Sequence, residues 1–215
     1  MDHPAFPILE TERLRLRPFR ESDLDDYAAL CADPEVTRWL PYGALARDAA
    51  WRHLVFTLGH WLVRGSGLWA VEEKATATFV GRLGFSEGEG WPGFELAWAL
   101  VPCVRGRGYA TEGAEAALAF AFRDLQRGHV ISLIRPDNLR SIRVAEQIGE
   151  RLERSIEHLG KPALVYGIDR EGWEARAGEE ASLHPACTLR WPAPVQPQVA
   201  NGATAAADGR ILQPR

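Results

Sequence analysis

The sequence predicts an α/β fold with a mixed, mostly antiparallel central sheet flanked by helices. Strand-like and helical patterns of apolar residues alternate along most of the chain. Three strand-like runs in its middle are separated only by short turns, which indicates an antiparallel meander. A length of 215 residues suits one domain with extensions.

The first part of the chain predicts one strand and two helices. Leucine and arginine alternate over residues 11–18, so we expect a strand with its arginines on the solvent face. A helix is predicted to begin near Ser22 and to end before Asp33 and Pro34. A second helix is expected over about 47–62.

The remaining elements follow in the order of three strands, a helix, a strand, a helix and a final strand. The meander consists of LWAVEE, TFVGRLGF and FELAWALV. An alanine-rich helix is then predicted over residues 109–125, a strand over 129–134, a helix over 138–148 and a last strand over 163–168.

The composition argues against several classes of protein. Hydrophobic residues make up 46% and charged residues 25%, close to the averages of soluble globular proteins. A net charge of -4 argues against nucleic acid as a partner. We find neither a signal-peptide pattern nor a run of about 20 apolar residues, so we expect no export and no membrane partner.

The three cysteines, Cys31, Cys103 and Cys187, predict neither disulfides nor a metal site. They are widely spaced, without a CxxC pair or a histidine at metal-ligand spacing. Cysteines of this kind are typical of a reducing cytoplasm, where we expect the protein to act. A homodimer is among the expected assemblies.

We expect the folded domain to span residues 9–175, after an N-terminal extension of residues 1–8. Residues 176–215 are rich in alanine and proline and lose all apolar periodicity. Such a segment cannot bury enough apolar surface to offset the entropy of ordering it, so we predict a flexible tail.

The stretch VRGRGYATEG, residues 104–113, is the strongest functional signal. It follows a predicted strand and opens a predicted helix, where free backbone amides favour an anion. The glycines Gly106 and Gly108 permit a close approach, and Arg105 and Arg107 add positive charge. The pattern indicates a site for a pyrophosphate, and a plain structural turn is the alternative.

Two familiar phosphate loops fit the stretch poorly. A nucleotide triphosphate loop needs Gly-Lys-Ser/Thr, whereas Tyr109 and Ala110 follow Gly108 here. A dinucleotide loop wants a third glycine or alanine where Thr111 stands.

The motif RGRGYA, between a strand and an alanine-rich helix, resembles the acyl-CoA pyrophosphate motif of the GNAT acetyltransferase superfamily. The resemblance extends over about residues 9–173 through LETERLRLRPFRESDLDDY, FVGRLGF, GRGYATEG and PDNLRSIRVAEQIG. This order is similar to the branch that contains the ribosomal-protein N-terminal-amine acetyltransferases. One departure is Glu150, because an aromatic residue commonly follows the glycine at that point in the family.

The resemblance implies an acetyl-CoA-dependent N-acetyltransferase that works by direct attack of a primary amine. Transfer to an amine needs a base, because amines are mostly protonated at neutral pH. We predict Glu95 as this base, with Glu112 as a second candidate that the helix dipole also explains. Ser141 is expected to protonate the leaving thiolate, and Cys103 is not expected to form an acyl-enzyme, because no histidine partner is apparent.

The resemblance also implies the cofactor contacts. Besides the turn, the predicted cofactor-binding residues are Trp98, Ala99, Leu100, Val101, Asn138 and Ser141, although Asn138 is equally explained as a helix N-cap. Trp39 and Tyr42 are candidates for the acceptor site, and the acceptor is a protein N-terminus or a small-molecule amine. The alternatives are a non-catalytic acyl-CoA-binding sensor and a transferase of a longer acyl group.

Overall fold

The structure, a computed structural model, describes residues 6–180 and 188–190. For residues 177–180 and 188–190 only the backbone is considered. The elements that position the site are the strands β1 Ile8–Glu10, β2 Leu14–Arg17, β3 Leu68–Glu73, β4 Thr78–Ser86, β5 Glu95–Leu100, β6 His129–Ile134, β7 Arg151–His158, β8 Lys161–Asp169 and β9 Thr188–Arg190. The helices are α1 Leu24–Ala32, α2 Pro34–Thr37, α3 Arg47–Arg64, α4 Tyr109–Arg123, α5 Leu139–Gln147 and α6 Arg170–Glu180.

The strands form one mixed sheet in the order β7-β8-β6-β5-β4-β3-β2-β1-β9. The β5–β6 pair is parallel, whereas the other pairs in the described part of the chain are antiparallel. Strands β3, β4 and β5 form consecutive antiparallel pairs, as the predicted meander requires. The predicted fold class is therefore confirmed.

Helices cover both faces of the sheet. On one face α1, α2 and α3 pack against a cluster that includes Phe19, Leu68 and Phe79. On the other face α4 packs closely, because Gly113 brings its backbone against Leu83. Over the residues that the structure describes, no helix is both long and apolar enough to cross a bilayer.

The strand predicted over residues 11–18 is shorter: β2 begins at Leu14, and a tight turn joins it to β1, which lies before the predicted range. Thr11 accounts for the break, because its backbone amide donates to Leu14 O at 3.0 Å and its Oγ1 accepts from the Leu14 amide at 2.9 Å. Local hydrogen bonding by threonine competes with a continuous strand. The expectation that all the arginines of this stretch face solvent is wrong for Arg17, which is 4% exposed and bonds Asp23 and Glu72.

Two elements of the structure have weak sequence signals. Strand β7 lies at the edge of the sheet and its side chains are mostly exposed, so it lacks the alternation that marks a half-buried strand. Helix α6 crosses the predicted domain boundary at residue 175 and continues to Glu180. Most of the predicted tail, with Cys187, lies outside the described residues.

Candidate active site

The site forms where β5 and β6 separate. These parallel strands share one ladder pair in the described structure, Glu95 with Ile131, and Ser132 Oγ donates to Leu96 O at 2.9 Å just beyond it. Strand β5 remains paired with β4 as far as Leu100. The opposite edge of β5 is therefore open to a ligand.

Two cavities meet at this opening. The turn cavity, of about 650 Å³, is bounded by the glycine-arginine turn, the strand end and the start of α5. The aromatic cavity, of about 410 Å³, extends over the sheet face beneath α3. Both cavities are lined by Trp39, Leu40, Trp98, Asn138 and Ser141.

The predicted phosphate turn lines the turn cavity with most of its residues. Gly106 and Gly108 have φ of +77° and +79°, a backbone conformation that side chains disfavour. Helix α4 begins directly after Gly108, so its first amides have no acceptor within the helix. The lining residues are Arg105, Gly106, Gly108, Tyr109, Ala110 and Thr111.

The cations around the turn are arranged differently from the prediction. Arg105 lines the cavity and donates to Glu35 Oε2 at 3.2 Å, whereas Arg107 lies outside the lining and bonds Glu73 at 3.3 Å. Two arginines of α5, Arg140 and Arg143, line the opposite wall. The sequence pattern gives no reason to prefer Arg140 over other exposed helix arginines.

Three of the four predicted residues of strand β5 line the turn cavity, namely Trp98, Ala99 and Leu100. Val101 does not line either cavity, and its amide already donates to Val80 O at 2.9 Å. The Val101 N–H is therefore not free to bind a cofactor amide.

Asn138 holds Ser141 at the junction of the cavities. Its Oδ1 accepts from the Ser141 amide at 3.3 Å, as an N-cap does, and its Nδ2 donates to Ser141 Oγ at 2.9 Å. Since Ser141 Oγ accepts this bond, its own proton is free to be donated elsewhere. One asparagine thus serves both as helix cap and as the group that orients the serine hydroxyl.

Glu95 is a buried carboxyl group on the floor of the aromatic cavity. Its residue is 8% exposed, and burial raises its pKa to about 7. Three groups limit the rise in pKa: the Trp91 indole, which donates to Glu95 Oε2 at 2.7 Å, the charge of Arg82 and the Leu133 amide. A carboxyl with a pKa near neutrality can take up and release a proton at physiological pH.

The aromatic cavity has a ring-rich wall. Trp39 and Tyr42, the predicted acceptor residues, both line it. His158 also lines it and contacts Trp91 edge-to-face at 4.6 Å. The other rings of the wall are His53, Phe56, His60, Trp91 and Trp98.

Two residues of this wall could not be identified from the sequence. Arg82 lies within a run read only as a strand, and its Nη2 donates to Tyr42 Oη at 2.7 Å. His53 lies within a helix, and its Nδ1 is 2.7 Å from Tyr27 Oη. Burial, aided by the charge of Arg82, lowers the pKa of His53 to about 4, so this ring is neutral at pH 7.

Glu150, where the chain departs from the family pattern, is a buried carboxyl group behind the site. Burial raises its pKa well above the ordinary value, and Glu95 adds to this rise. Its Oε1 lies 2.9 Å from Ser132 Oγ. Ser132 Oγ is within hydrogen-bond distance of two acceptors, Glu150 Oε1 and Leu96 O, and has one proton for both. The raised pKa favours the protonated form of Glu150, which can itself donate to Ser132.

The two competing catalytic candidates lie elsewhere. Glu112 binds the β1–β2 turn through the Arg13 amide at 2.8 Å and Arg13 Nε at 2.6 Å. Cys103 is exposed in a short 3-10 helix and lines neither cavity. Neither residue therefore lies in the cavity that contains Glu95.

Comparison with known proteins identifies the same family that the sequence motifs resemble. The family described as "Acetyltransferase (GNAT) domain" matches residues 13–151. The uncharacterized protein YkkB of Bacillus subtilis is 34% identical over 166 residues, which cover 74% of this chain and 93% of the relative. A second relative, named uncharacterized N-acetyltransferase YnaD, also of Bacillus subtilis, is 26% identical over 145 residues. This match covers 67% of this chain and 83% of the relative.

Solved structures share the fold. A crystal structure of an acetyltransferase from Agrobacterium tumefaciens superposes with a TM-score of 0.69 at 31% identity, over 76% of this chain and 95% of that one. The family match covers more than half of the chain and includes the turn, Glu95 and Ser141. The chain belongs to the GNAT family of acetyltransferases and is an acyltransferase enzyme.

Proposed function

We propose that this enzyme transfers the acetyl group of acetyl-CoA to a primary amine by direct attack. The observation that carries the proposal is Glu95, a buried carboxyl with a pKa of about 7 on the floor of a cavity that joins the turn cavity at Ser141. The acceptor is a small-molecule amine or a protein N-terminus.

The residues of the turn cavity fit coenzyme A. The first amides of α4 and the side chains of Arg105, Arg140 and Arg143 would hold its phosphates. A Cβ at Gly106 would meet nothing within 4 Å, so the cradle is open at this glycine. When bound, acetyl-CoA supplies a thioester carbonyl that an amine can attack and a sulfur that can leave.

The chain's own groups would complete the reaction. Glu95 accepts a proton from the amine, which frees the nitrogen lone pair for attack. Ser141 Oγ donates its proton to the sulfur as the carbon–sulfur bond breaks, and the proton that the nitrogen loses as the amide forms restores the serine hydroxyl. The Asn138 amide keeps the hydroxyl in this orientation. The buried floor excludes water, which would otherwise compete with the amine.

Thermal unfolding with added ligands tests the donor. A ligand that binds only the folded chain at 100 times its dissociation constant stabilises it by about 2.7 kcal/mol. We expect acetyl-CoA to raise the unfolding temperature more than ATP or NAD does at equal concentration. A flat response to acetyl-CoA would contradict the cofactor assignment, and a larger response to longer acyl-CoAs would change the donor.

Glu95→Gln tests the base. We expect the variant to bind acetyl-CoA normally but to lose about 100- to 10,000-fold in kcat, a typical contribution of a general base. Wild-type kcat/KM should rise with pH around 7, the pKa of Glu95, because the base acts when deprotonated. Release of CoA with a panel of amines between pH 6 and 9 measures both effects.

The same assay decides between the enzyme and a sensor. If acetyl-CoA binds tightly and no amine in the panel releases CoA, a non-catalytic acyl-CoA sensor replaces the proposed activity. Glu95→Asp is the matched variant, since it keeps the carboxyl and should retain more activity than Glu95→Gln.

A further inference from the structure

Arg82 is a buried cation without a carboxylate. It is 6% exposed, its Nη2 donates to Tyr42 Oη, and its Nε has no hydrogen-bond partner within the described part of the chain. Arg17, the other deeply buried arginine described, bonds two carboxylates, Asp23 and Glu72. Burying a guanidinium without a carboxylate costs free energy of folding. A bound anion would offset this cost at Arg82.

The position of Arg82 indicates that the anion would bind in the same cavity as Glu95. Arg82 lines the aromatic cavity, on the sheet face that also carries Glu95. Along the β4–β5 ladder, the pair Arg82–Ala99 lies four residues from the pair Ser86–Glu95. This spacing puts the backbones of the two pairs about 14 Å apart. The intervening pair is Gly84 and Ala97, whose small side chains leave the floor open between the cation and the base.

The other charged groups of the cavity favour an anion as well. Arg135 and Lys161 line it, and Arg135 Nη1 is buried without a hydrogen-bond partner in the described structure. Of the two lining carboxylates, Glu87 is paired with Arg127 at 2.9 Å, which leaves Glu95 as the proposed base. His53 beside Arg82 is neutral at pH 7 and adds no charge to this part of the cavity.

We propose that the acceptor is a small, amino-acid-like primary amine whose carboxylate binds Arg82 and whose apolar part lies against the aromatic wall. This proposal rests on the acetyl transfer proposed above and specifies its acceptor class. A volume of about 410 Å³ suits a small molecule, and a polycationic amine is disfavoured because it would face Arg82.

Matched pairs of amines that differ in the carboxylate test the proposal. The first pair is L-phenylalanine with phenethylamine, in which the amine and the carboxylate are close together. The second pair is 4-(aminomethyl)benzoate with benzylamine, in which the amine and the carboxylate lie on opposite sides of the ring. We expect kcat/KM, from CoA release, to favour the carboxylate in at least one pair by about tenfold or more. Equal rates within both pairs would overturn the proposal and leave the acetyltransferase activity intact.

At pH 9, where Glu95 is deprotonated even without the nearby charge, Arg82→Gln is expected to reduce that preference to about threefold or less. Arg52→Gln, which removes an exposed α3 arginine paired with Asp48, is the charge-matched control and should keep the preference. If Arg82→Gln does not fold, Tyr42→Phe removes the hydroxyl that positions the guanidinium, and the preference should also fall. A preference unchanged in the folded variant would overturn the proposal.

A binding measurement separates this proposal from the activity. Calorimetry of 3-phenylpropionate and 4-methylbenzoate with the CoA-bound protein should show binding that Arg82→Gln weakens at least about tenfold. If no amine is acetylated but this binding occurs, the acetyl-transfer proposal fails and the carboxylate site stands. Absence of Arg82-dependent binding of either probe would overturn the site.

Discussion

At the scale of single residues, the neighbours of a buried charge decide its chemistry. Glu95 and Glu150 are both buried carboxyl groups, but Glu95 accepts from Trp91 and is close enough to feel the charge of Arg82. In the described structure the Glu150 carboxyl bonds the Ser132 hydroxyl and lies near the charges of other acids. Donors and a cation favour the ionised form, and their absence favours the neutral one. Glu95 is therefore poised to titrate, and Glu150 stays protonated.

Trp91→Phe should move the pH dependence of the reaction. The indole N–H stabilises the ionised form of Glu95, so its removal should raise the pKa of Glu95 above about 7. We expect the midpoint of the kcat/KM profile to shift to higher pH, with a loss at pH 7 that is largely recovered at pH 9.

Trp39→Phe is the control for this shift. Trp39 lines the same cavity, but it has no hydrogen bond to Glu95 in the described structure. Its replacement should alter KM and leave the midpoint in place. An unchanged midpoint in Trp91→Phe would mean that the rate does not report on Glu95.

At the scale of elements, strand β4 and the β5–β6 gap shape the site together. Gly81 and Gly84 of β4 have φ near +145° and +142°, and a Cβ at either would lie 2.3 Å from a carbonyl oxygen of a neighbouring strand or turn. Only glycine fits such a close approach. Across the sheet, Ser132 bonds Leu96 O at the point where β5 leaves β6, and Glu150 bonds Ser132.

Glu150→Gln should change stability in a pH-dependent way. The raised pKa means that the folded chain keeps this proton after the unfolded chain has released it, so the free energy of unfolding falls as pH rises above the ordinary glutamate value. Glutamine does not titrate and can still donate to Ser132. We expect the variant to match wild type near pH 4.5 and to become more stable than wild type at pH 8.

Urea unfolding at the two pH values measures this difference. Glu157→Gln, at an exposed position of β7, is the control and should show no comparable gain. A Glu150→Gln protein that is less stable than wild type at pH 8 would show that Glu150 is ionised in the folded state.

At the scale of the whole molecule, a buried ion network joins the sheet to the first helical layer. Arg17 on β2 donates to Glu72 on β3 at 2.8 Å and to Asp23, just before α1, at 2.7 and 2.8 Å. The network positions the α1–α3 layer, which carries Tyr42 and His53 over the aromatic cavity.

Arg17→Met should destabilise the fold by about 3–5 kcal/mol, because it leaves Asp23 buried without its cation and Glu72 with only its 3.3 Å ion pair to Arg15. Chemical denaturation measures this loss. Arg52→Met, at an exposed ion pair, should change stability by about 0.5 kcal/mol or less. A small loss in Arg17→Met would show that the network is not needed to hold the two layers.

Much of the fold could be predicted from local patterns. The meander and the helices from Arg47 and from Tyr109 follow from apolar spacing, which reflects one face of each element. Strand β7 could not, because an exposed edge strand has no such spacing. Arg17 was misassigned, because alternation predicts which side of a strand a residue occupies but not what covers that side.

For the site, the sequence by itself determined the turn, because its glycines must adopt positive φ and its amides open a helix whatever surrounds them. It also indicated Glu95 and Ser141, through the family that their order resembles. Only the tertiary structure decided that Arg107 leaves the cavity, that Glu95 is buried with a pKa of about 7, and that Arg82 faces the cavity without a carboxylate. Burial and pairing depend on residues far apart in the chain, such as Tyr42 and Arg82, and only folding brings them together.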